Sequence, residues 1–312
     1  MGIQNRATST AAFSRRGAGV GGYNKYLGYL LLAPALSVVA LVAFYPYLRT
    51  LWMSFHDISL IFRTNEWVGL RNYAQLLRDA SYLNALRNTM VFTLSTVALE
   101  TLLGLVMAMV MHAGYRGRGV VRAAVLVPWA IPTVVTSMMW SWIYNVDYGI
   151  LNYLLGRLGL LSGPANWLGE PRLAMVAAII ADVWKTTPFI AIILLAGLQG
   201  ISQDLYEAAT IDGAGARARF FSITLPLLVP TGLIAVLLRL LDAFRVFALI
   251  FVLTNGGPAD ATEVLSTYAY KVLFSTTDFG YGSAIATSMF LYVLVIAAVF
   301  VLFLRPHLAE VE

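Results

Sequence analysis

The chain has 312 residues, of which 59% are hydrophobic and only 12% charged, about half the charged share of soluble domains. A soluble core of this length cannot hide so much apolar surface, so water-soluble and disordered classes are excluded and a polytopic membrane protein is implied. The absence of cysteine excludes disulfides and catalytic thiols, and the net charge of +5 reads, in a membrane chain, as cytoplasmic anchoring rather than nucleic-acid binding.

Six apolar runs stand out: Leu27–Leu48, Met90–Met111, Val120–Tyr144, Leu173–Leu198, Val229–Leu253 and Ala284–Leu304. Each has about the twenty residues that a helix needs to cross a ~30 Å hydrocarbon core. Helices satisfy their own backbone in lipid, and the runs are continuous rather than alternating, so an all-α membrane protein of six transmembrane helices is expected, not a β-barrel. The first run follows Arg15, Arg16 and Lys25 and reads as a retained signal-anchor helix. Residues 1–25 and 306–312 are expected as cytoplasmic tails around a six-helix membrane body at 26–305. The basic N-terminus and the tight Arg116-Gly117-Arg118 turn place both termini in the cytoplasm. Between the first two runs, Trp67 to Leu83 has the spacing of a short amphipathic helix bracing the interface. The loop Asn145–Arg172, with Trp167, is expected to cap the outer face.

The segment between the fourth and fifth runs, residues 200–226, differs from the rest. Ser202 is placed to cap a helix whose positive end carries Asp204 and Glu207. Ala208 and Ala209 favour helix, and Gly213 permits a sharp turn beside Ala214 and Gly215. A second short helix follows, with Phe220, Phe221, Ile223 and Leu225 on or near one side, and Pro226 leads into the fifth run. The product is a stubby helix–turn–helix that projects from the cytoplasmic face: a docking element, not a catalytic one.

The pattern Glu207-Ala208-Ala209, three residues, Gly213, nine residues, Ile223, one residue, Leu225-Pro226 matches without departure the EAA loop of ABC importer permeases. Gly69-Leu70-Arg71-Asn72-Tyr73, Trp184-Lys185-Thr186-Thr187-Pro188, Asn255-Gly256-Gly257-Pro258 and Phe279-Gly280-Tyr281-Gly282 resemble the maltose/trehalose-type carbohydrate branch. The resemblance runs from about Tyr26 to Arg305 and implies a type I ABC importer permease fold. It implies that the loop is a coupling helix, with Glu207, Ala208, Ala209, Asp212, Gly213, Ala214, Leu225 and Pro226 seated on a cytoplasmic ATPase. The implied partners are two ABC ATPase subunits, a homologous second permease, an extracellular sugar-binding protein and the bilayer. No cofactor is expected on this chain; ATP and Mg belong to the ATPases, consistent with the absence of a G-x-x-x-x-G-K-[ST] run.

Ionisable residues inside the apolar runs are costly, roughly 2.5–3.5 kcal/mol each at a helix centre on insertion scales. Arg239, Asp242 and Arg245 recur at three-residue intervals, and Asp242 is placed to reach both arginines. They form either a buried triad or a wet cavity that hydrogen-bonds sugar hydroxyls. The resemblance implies sugar contact at Arg245. The family carries Asn there and again at 246, where this chain has Val, a departure that points to another sugar or pose. The remaining candidates for the substrate site are Phe244, Phe247, Ser288, Tyr292, Trp184 and Lys185. Lys185 reads equally as a partner of Asp182, Pro188 is expected to kink its helix, and Glu100 is expected to meet a charged neighbour or a helix backbone.

Three histidines far apart, with no HExxH or GxSxG run, argue against an enzyme. A secondary transporter usually shows two repeated halves, and no internal repeat is evident. The sequence thus reads as the permease of an ATP-driven importer for a sugar such as trehalose or maltose, in the cytoplasmic membrane. An ion-driven carrier and an importer of another solute, such as a glycerol phosphate, are the alternatives.

Overall fold

The computed structural model describes residues 25–309, with side chains from 29 to 302. The tails expected at 1–25 and 306–312 lie largely outside the described residues. The chain divides into two compact units, Met1–Arg49 and Thr50–Glu312. The first holds α1 (Lys25–Val39), a π turn at Ala40–Phe44, and the start of α2 (Tyr45–Met53). The wide turn falls just before Pro46, which has no amide to give a regular helical ladder.

The second unit opens with a hairpin, β1 (His56–Ser59) and β2 (Thr64–Trp67), paired antiparallel with His56 opposite Trp67. Next come α3 (Arg71–Leu76) and α4 (Ala80–His112). The pair α5 (Arg118–Ala130) and α6 (Thr133–Ile143) meets at a 93° bend, and α7 (Ile150–Arg157) leads to α8 (Pro171–Gln199). The elbow comprises α9 (Gln203–Ile211) and α10 (Ala216–Arg219), which runs through a π turn into α11 (Leu225–Ala243). The chain closes with α12 (Ala248–Leu253), α13 (Leu265–Phe274) and α14 (Phe279–Ala309).

Among the described residues, five helical stretches are long and apolar enough to cross a membrane: 29–53, 80–112, 171–199, 216–243 and 279–302. The bent α5–α6 pair makes a sixth if counted as one span. Three expectations are corrected. The third run is not a single helix, because Pro132 cannot continue the ladder and releases the carbonyls before it. The fifth run is displaced: its helix starts at 216 and ends at Ala243, before a non-helical break at Phe244–Phe247. The stretch Trp67–Leu83 is not one amphipathic helix: after a two-stranded hairpin it holds the short α3 and the start of α4, within a fold that is otherwise helical. Pro188, by contrast, lies inside an unbroken α8.

The core sits where α4, α8 and α11 pack. Small residues, Ala108 on α4, Ala191 on α8 and Ala235 on α11, are fully buried there; in lipid, close helix approach of this kind replaces the hydrophobic drive. Ala108 and Met111 near the end of α4 cluster with Leu194, Leu195 and Leu198 near the end of α8 and with Leu228 near the start of α11. The ends at His112, Gln199 and Leu225 therefore share one side with the elbow, and Ala80 and Pro171 lie on the other.

That far side is tied down by the motifs outside the loop. The buried Asn72 donates to the carbonyls of Ser54 and His56 at 2.9 Å, holding the hairpin. At Gly280 a side chain would collide with the His56 carbonyl, so only glycine lets α14 approach. Asp79 caps α4 by accepting from the Ser81 amide at 2.9 Å and takes the hydroxyls of Tyr268 (2.6 Å) and Tyr281 (2.5 Å). Burial would raise its carboxyl, but these hydroxyl and amide donors outweigh burial and hold it below the usual carboxylate range.

Candidate functional site

Two places carry chemistry. The first is the elbow. Ser202 accepts from the Asp204 amide at 3.3 Å and starts α9. Gly213, at φ +80°, turns the chain, and the Ala214 amide closes the turn on the Ala209 carbonyl at 2.8 Å. The two arms are cross-braced: Tyr206 Oη lies 2.9 Å from Thr224 Oγ1, and Arg219 donates to Thr210 Oγ1 at 2.9 Å. Glu207, Ala208, Asp212 and Pro226 are exposed, and Ala209, Ala214 and Leu225 half-buried. Ile211 is 87% exposed and Phe221 64%. A braced polar arm with an apolar tip suits a protein partner. The second arm does not end before the fifth span; it runs on through the π turn at Phe220–Thr224 into α11.

The second place lies midway along α8. Arg239 of α11 is buried among three carboxylates. Its Nε and Nη2 donate to the two oxygens of Glu100 at 2.6 and 2.9 Å, Nη2 also to Asp182 at 3.0 Å, and Nη1 to Asp242 at 2.6 Å. The guanidinium fork matches a carboxylate in a way that an ammonium cannot. Thr186 Oγ1 lies 2.5 Å from Glu100 Oε1. Lys185 does not pair with Asp182; its ammonium donates to the carbonyls of Trp129 (3.4 Å) and Ile131 (2.8 Å). Those are carbonyls at the α5–α6 bend, so Lys185 satisfies backbone that lipid would leave unpaired.

Beside this network is a cavity of about 380 Å³, within the range of small-ligand sites. The two helix breaks flank it: Trp129 and Thr133 line it from the bend, and Arg245, Val246 and Phe247 from the break after α11. Non-helical backbone at membrane depth is tolerated where it lines such a cavity. Asp242 spends one oxygen on Arg239 while its side chain is 70% exposed. It does not reach Arg245, contrary to the sequence expectation: the helix stops before the next turn could align them, and Arg245 Nε donates to the Leu241 carbonyl at 2.9 Å. Among the described residues, no carboxylate lies within ion-pair distance of Arg245. The arrangement offers a carboxylate acceptor, an open guanidinium donor and an aromatic face, the means to bind a polyhydroxylated solute without transforming it.

Four other candidates fall elsewhere. Phe244 is buried and its ring centroid is 5.9 Å from that of Tyr292. Ser288 accepts from Tyr82 Oη at 2.9 Å, and Tyr292 lies 3.4 Å from the same hydroxyl; these three pack α14 against α4. Trp184 faces a separate apolar groove, edge-on to Trp140 at 5.8 Å. Trp129, Thr133 and Ala248 line the cavity without having been expected there; the helix-breaking Pro132 is the signal that locates the first two.

A helical membrane body with broken spans around a polar cavity and a braced elbow at one side defines a transport permease. Residues 100–309 match the family described as binding-protein-dependent transport system inner membrane component, and the chain belongs to it. It is 47% identical over 268 residues to the trehalose/maltose transport system permease protein MalF of Thermococcus litoralis, covering 86% of this chain and 90% of the relative. It is 40% identical over 295 residues to the trehalose transport system permease protein SugA of Mycobacterium tuberculosis, covering 94% and 93%. Among solved structures it superposes on a chain of a bacterial ABC transporter that imports alginate, with TM-score 0.79 at 23% identity, over 90% of this chain and 96% of that one. The type I importer fold is therefore that of this chain, which is a transport subunit of an ABC importer and not an enzyme.

Proposed function

We propose that the chain forms part of the pathway of an importer for a neutral disaccharide of the trehalose or maltose class. The cavity between the two helix breaks carries this reading: Asp242, Arg245 and Phe247 offer an acceptor, a donor and a stacking face at membrane depth. The names of the 47% and 40% identical relatives support the sugar class. In this reading the elbow faces the cytoplasm, with both termini, and seats on one of two ABC ATPase subunits that hold ATP and Mg. A homologous second permease completes the pathway, and an extracellular sugar-binding protein delivers the substrate. ATP-driven closure of the ATPases moves the braced elbow as one body, and the bundle rocks between inward- and outward-facing packings.

The test is uptake by the reconstituted four-component transporter. Trehalose or maltose should accumulate only with ATP, the ATPase subunits and loaded binding protein. Accumulation driven by an ion gradient without the ATPase would overturn the reading. Uptake of glycerol phosphate in place of either sugar would instead assign the open Arg245 guanidinium to a phosphate.

A further inference from the structure

On the side away from the elbow, a second cavity of about 490 Å³ opens beside α12 and α13. The translocation reading above does not use it. Phe247, which lines the inner cavity, stacks on Phe251 with centroids 5.1 Å apart. Both reach Tyr270, at 5.3 and 5.2 Å, and Tyr270 meets Phe274 at 4.9 Å. Tyr270 and Phe274 stand four residues apart and so share a face of α13, and Phe247 stands one turn before Phe251 at the N-terminal end of α12. Phe274 is 63% exposed. The rings form an unbroken ladder from the inner cavity to the surface.

A polar edge accompanies the ladder: Asn255, Glu263, Lys271 and Ser275 line the same cavity as Phe251 and Tyr270. Glu263 is only 3% exposed. One of its oxygens pairs with Lys271, and the other, buried, has no hydrogen-bond partner. Buried carboxylate oxygens are normally satisfied, so this one marks an acceptor awaiting a donor. An apolar ligand would leave that edge unmet, and a small ion would not use the rings of Phe251 and Tyr270 that line the cavity. A pyranose, with an apolar C–H face and a rim of hydroxyls, uses both.

We propose that this cavity is a second sugar subsite, which takes the neutral disaccharide from the binding protein and passes it along Phe274, Tyr270, Phe251 and Phe247 to the inner cavity. The proposal rests on the sugar reading above, and its test separates the two. Because the chain has no cysteine, Phe274→Cys, Ala248→Cys and Leu160→Cys each introduce a single thiol: at the outer end of the ladder, in the inner cavity and in a remote exposed loop. Each variant is assembled with cysteine-free partners in nanodiscs. Its rate of reaction with a hydrophilic thiol reagent is compared between trehalose- or maltose-loaded and unloaded binding protein, in the presence of ATP. Several-fold slowing at 274 and 248 with loaded receptor, and none at 160, is the expected result. Protection at 248 but not at 274 overturns the subsite and leaves the inner cavity standing. Protection at 274 alone supports the subsite and removes the inner-cavity assignment. If neither site is protected while uptake proceeds, both fall. Equal protection by unloaded receptor, or a Phe274→Cys thiol that never reacts in the assembled transporter, shows the ladder covered by protein and also overturns the proposal.

Discussion

The elbow and the mid-membrane network solve opposite problems. The elbow is largely exposed and is held by short-range contacts: a cap two residues away, a turn at Gly213, and the Tyr206–Thr224 and Arg219–Thr210 braces eighteen and nine residues apart. The network lies out of water and is held by charge across long stretches of chain, Arg239 reaching Glu100 over 139 residues and Asp182 over 57. A part that must move as one body needs internal bracing and an open outer face. A part that must keep charges in a low-dielectric layer needs every donor matched to an acceptor. The open atoms of the central site, on Asp242 and Arg245, sit at its edge, where matching stops and a solute can begin.

The sharpest way to break this contrast is to damage the elbow without touching the network. Glu207→Lys reverses an exposed charge on the face proposed to meet the ATPase. Gly213→Asp places a bulky anion at a left-handed turn with open space around it. Both should bring ATP-driven uptake to background; Glu207→Lys should keep the purified chain's thermal stability, and Gly213→Asp should cost only the strain of a side chain at a left-handed turn, about 1–2 kcal/mol. Normal transport by either assembled variant would remove the elbow from coupling.

Damage to the network should read the other way, as stability before transport. Arg239→Met leaves Glu100 and Asp182 buried without their cation, and removing one partner of a buried ion pair costs about 3–5 kcal/mol. Thermal unfolding in detergent should show the loss. Arg239→Lys should recover only part of it, since an ammonium cannot donate to both oxygens of Glu100 in the planar fork. A Lys variant as stable as the wild type would mean that charge alone, not geometry, holds α4, α8 and α11 together.

At the edge, Arg245→Ala removes a guanidinium that no carboxylate among the described residues balances, so stability should barely change. What should weaken is handling of the solute: a hydrogen bond from a charged group is worth roughly 1.5–3 kcal/mol, about a ten- to hundredfold effect on half-saturation. Sugar-stimulated ATP turnover measured against substrate concentration checks this, and an unchanged curve counts against the cavity.

The same contrast governs how much could be read before the fold was known. The elbow was legible because its cap, turn and braces lie within one short stretch, so spacing along the chain is spacing in space. The spans were legible as apolar runs, but not the breaks within them: Pro132 is visible as a breaker, whereas Phe244–Phe247 carries no proline or glycine to announce one. The network was only half legible. Glu100, Asp182 and Arg239 were each conspicuous in lipid, and local periodicity gave Asp242 to both Arg239 and Arg245 and Asp182 to Lys185. The pair with Arg239 lies within one helix and forms, whereas packing of α4 against α8 and α11 gives Asp182 and Glu100 to Arg239. Ser288 and Tyr292 lie apart from the cavity for a related reason: their face of α14 turns to Tyr82 on α4, which no reading of one helix alone reveals.

A last and smaller effect separates both regions from general stability of the far side. Asp79 joins the start of α4 to Tyr268 and Tyr281 and has its carboxyl held below the ordinary value. A group whose folded value is depressed contributes stability that is full above the unfolded value, about 3.9, and disappears as pH falls through the folded one. Asp79→Asn should therefore be less stable than the wild type near pH 7, and the gap should close as pH drops below about 4. ATP turnover of its assembled transporter and its half-saturation for sugar should both stay close to wild type at neutral pH. A stability gap that persists unchanged to pH 3 would show that shape and hydrogen-bond count at this cap, rather than the ionised carboxylate, hold the end of α4.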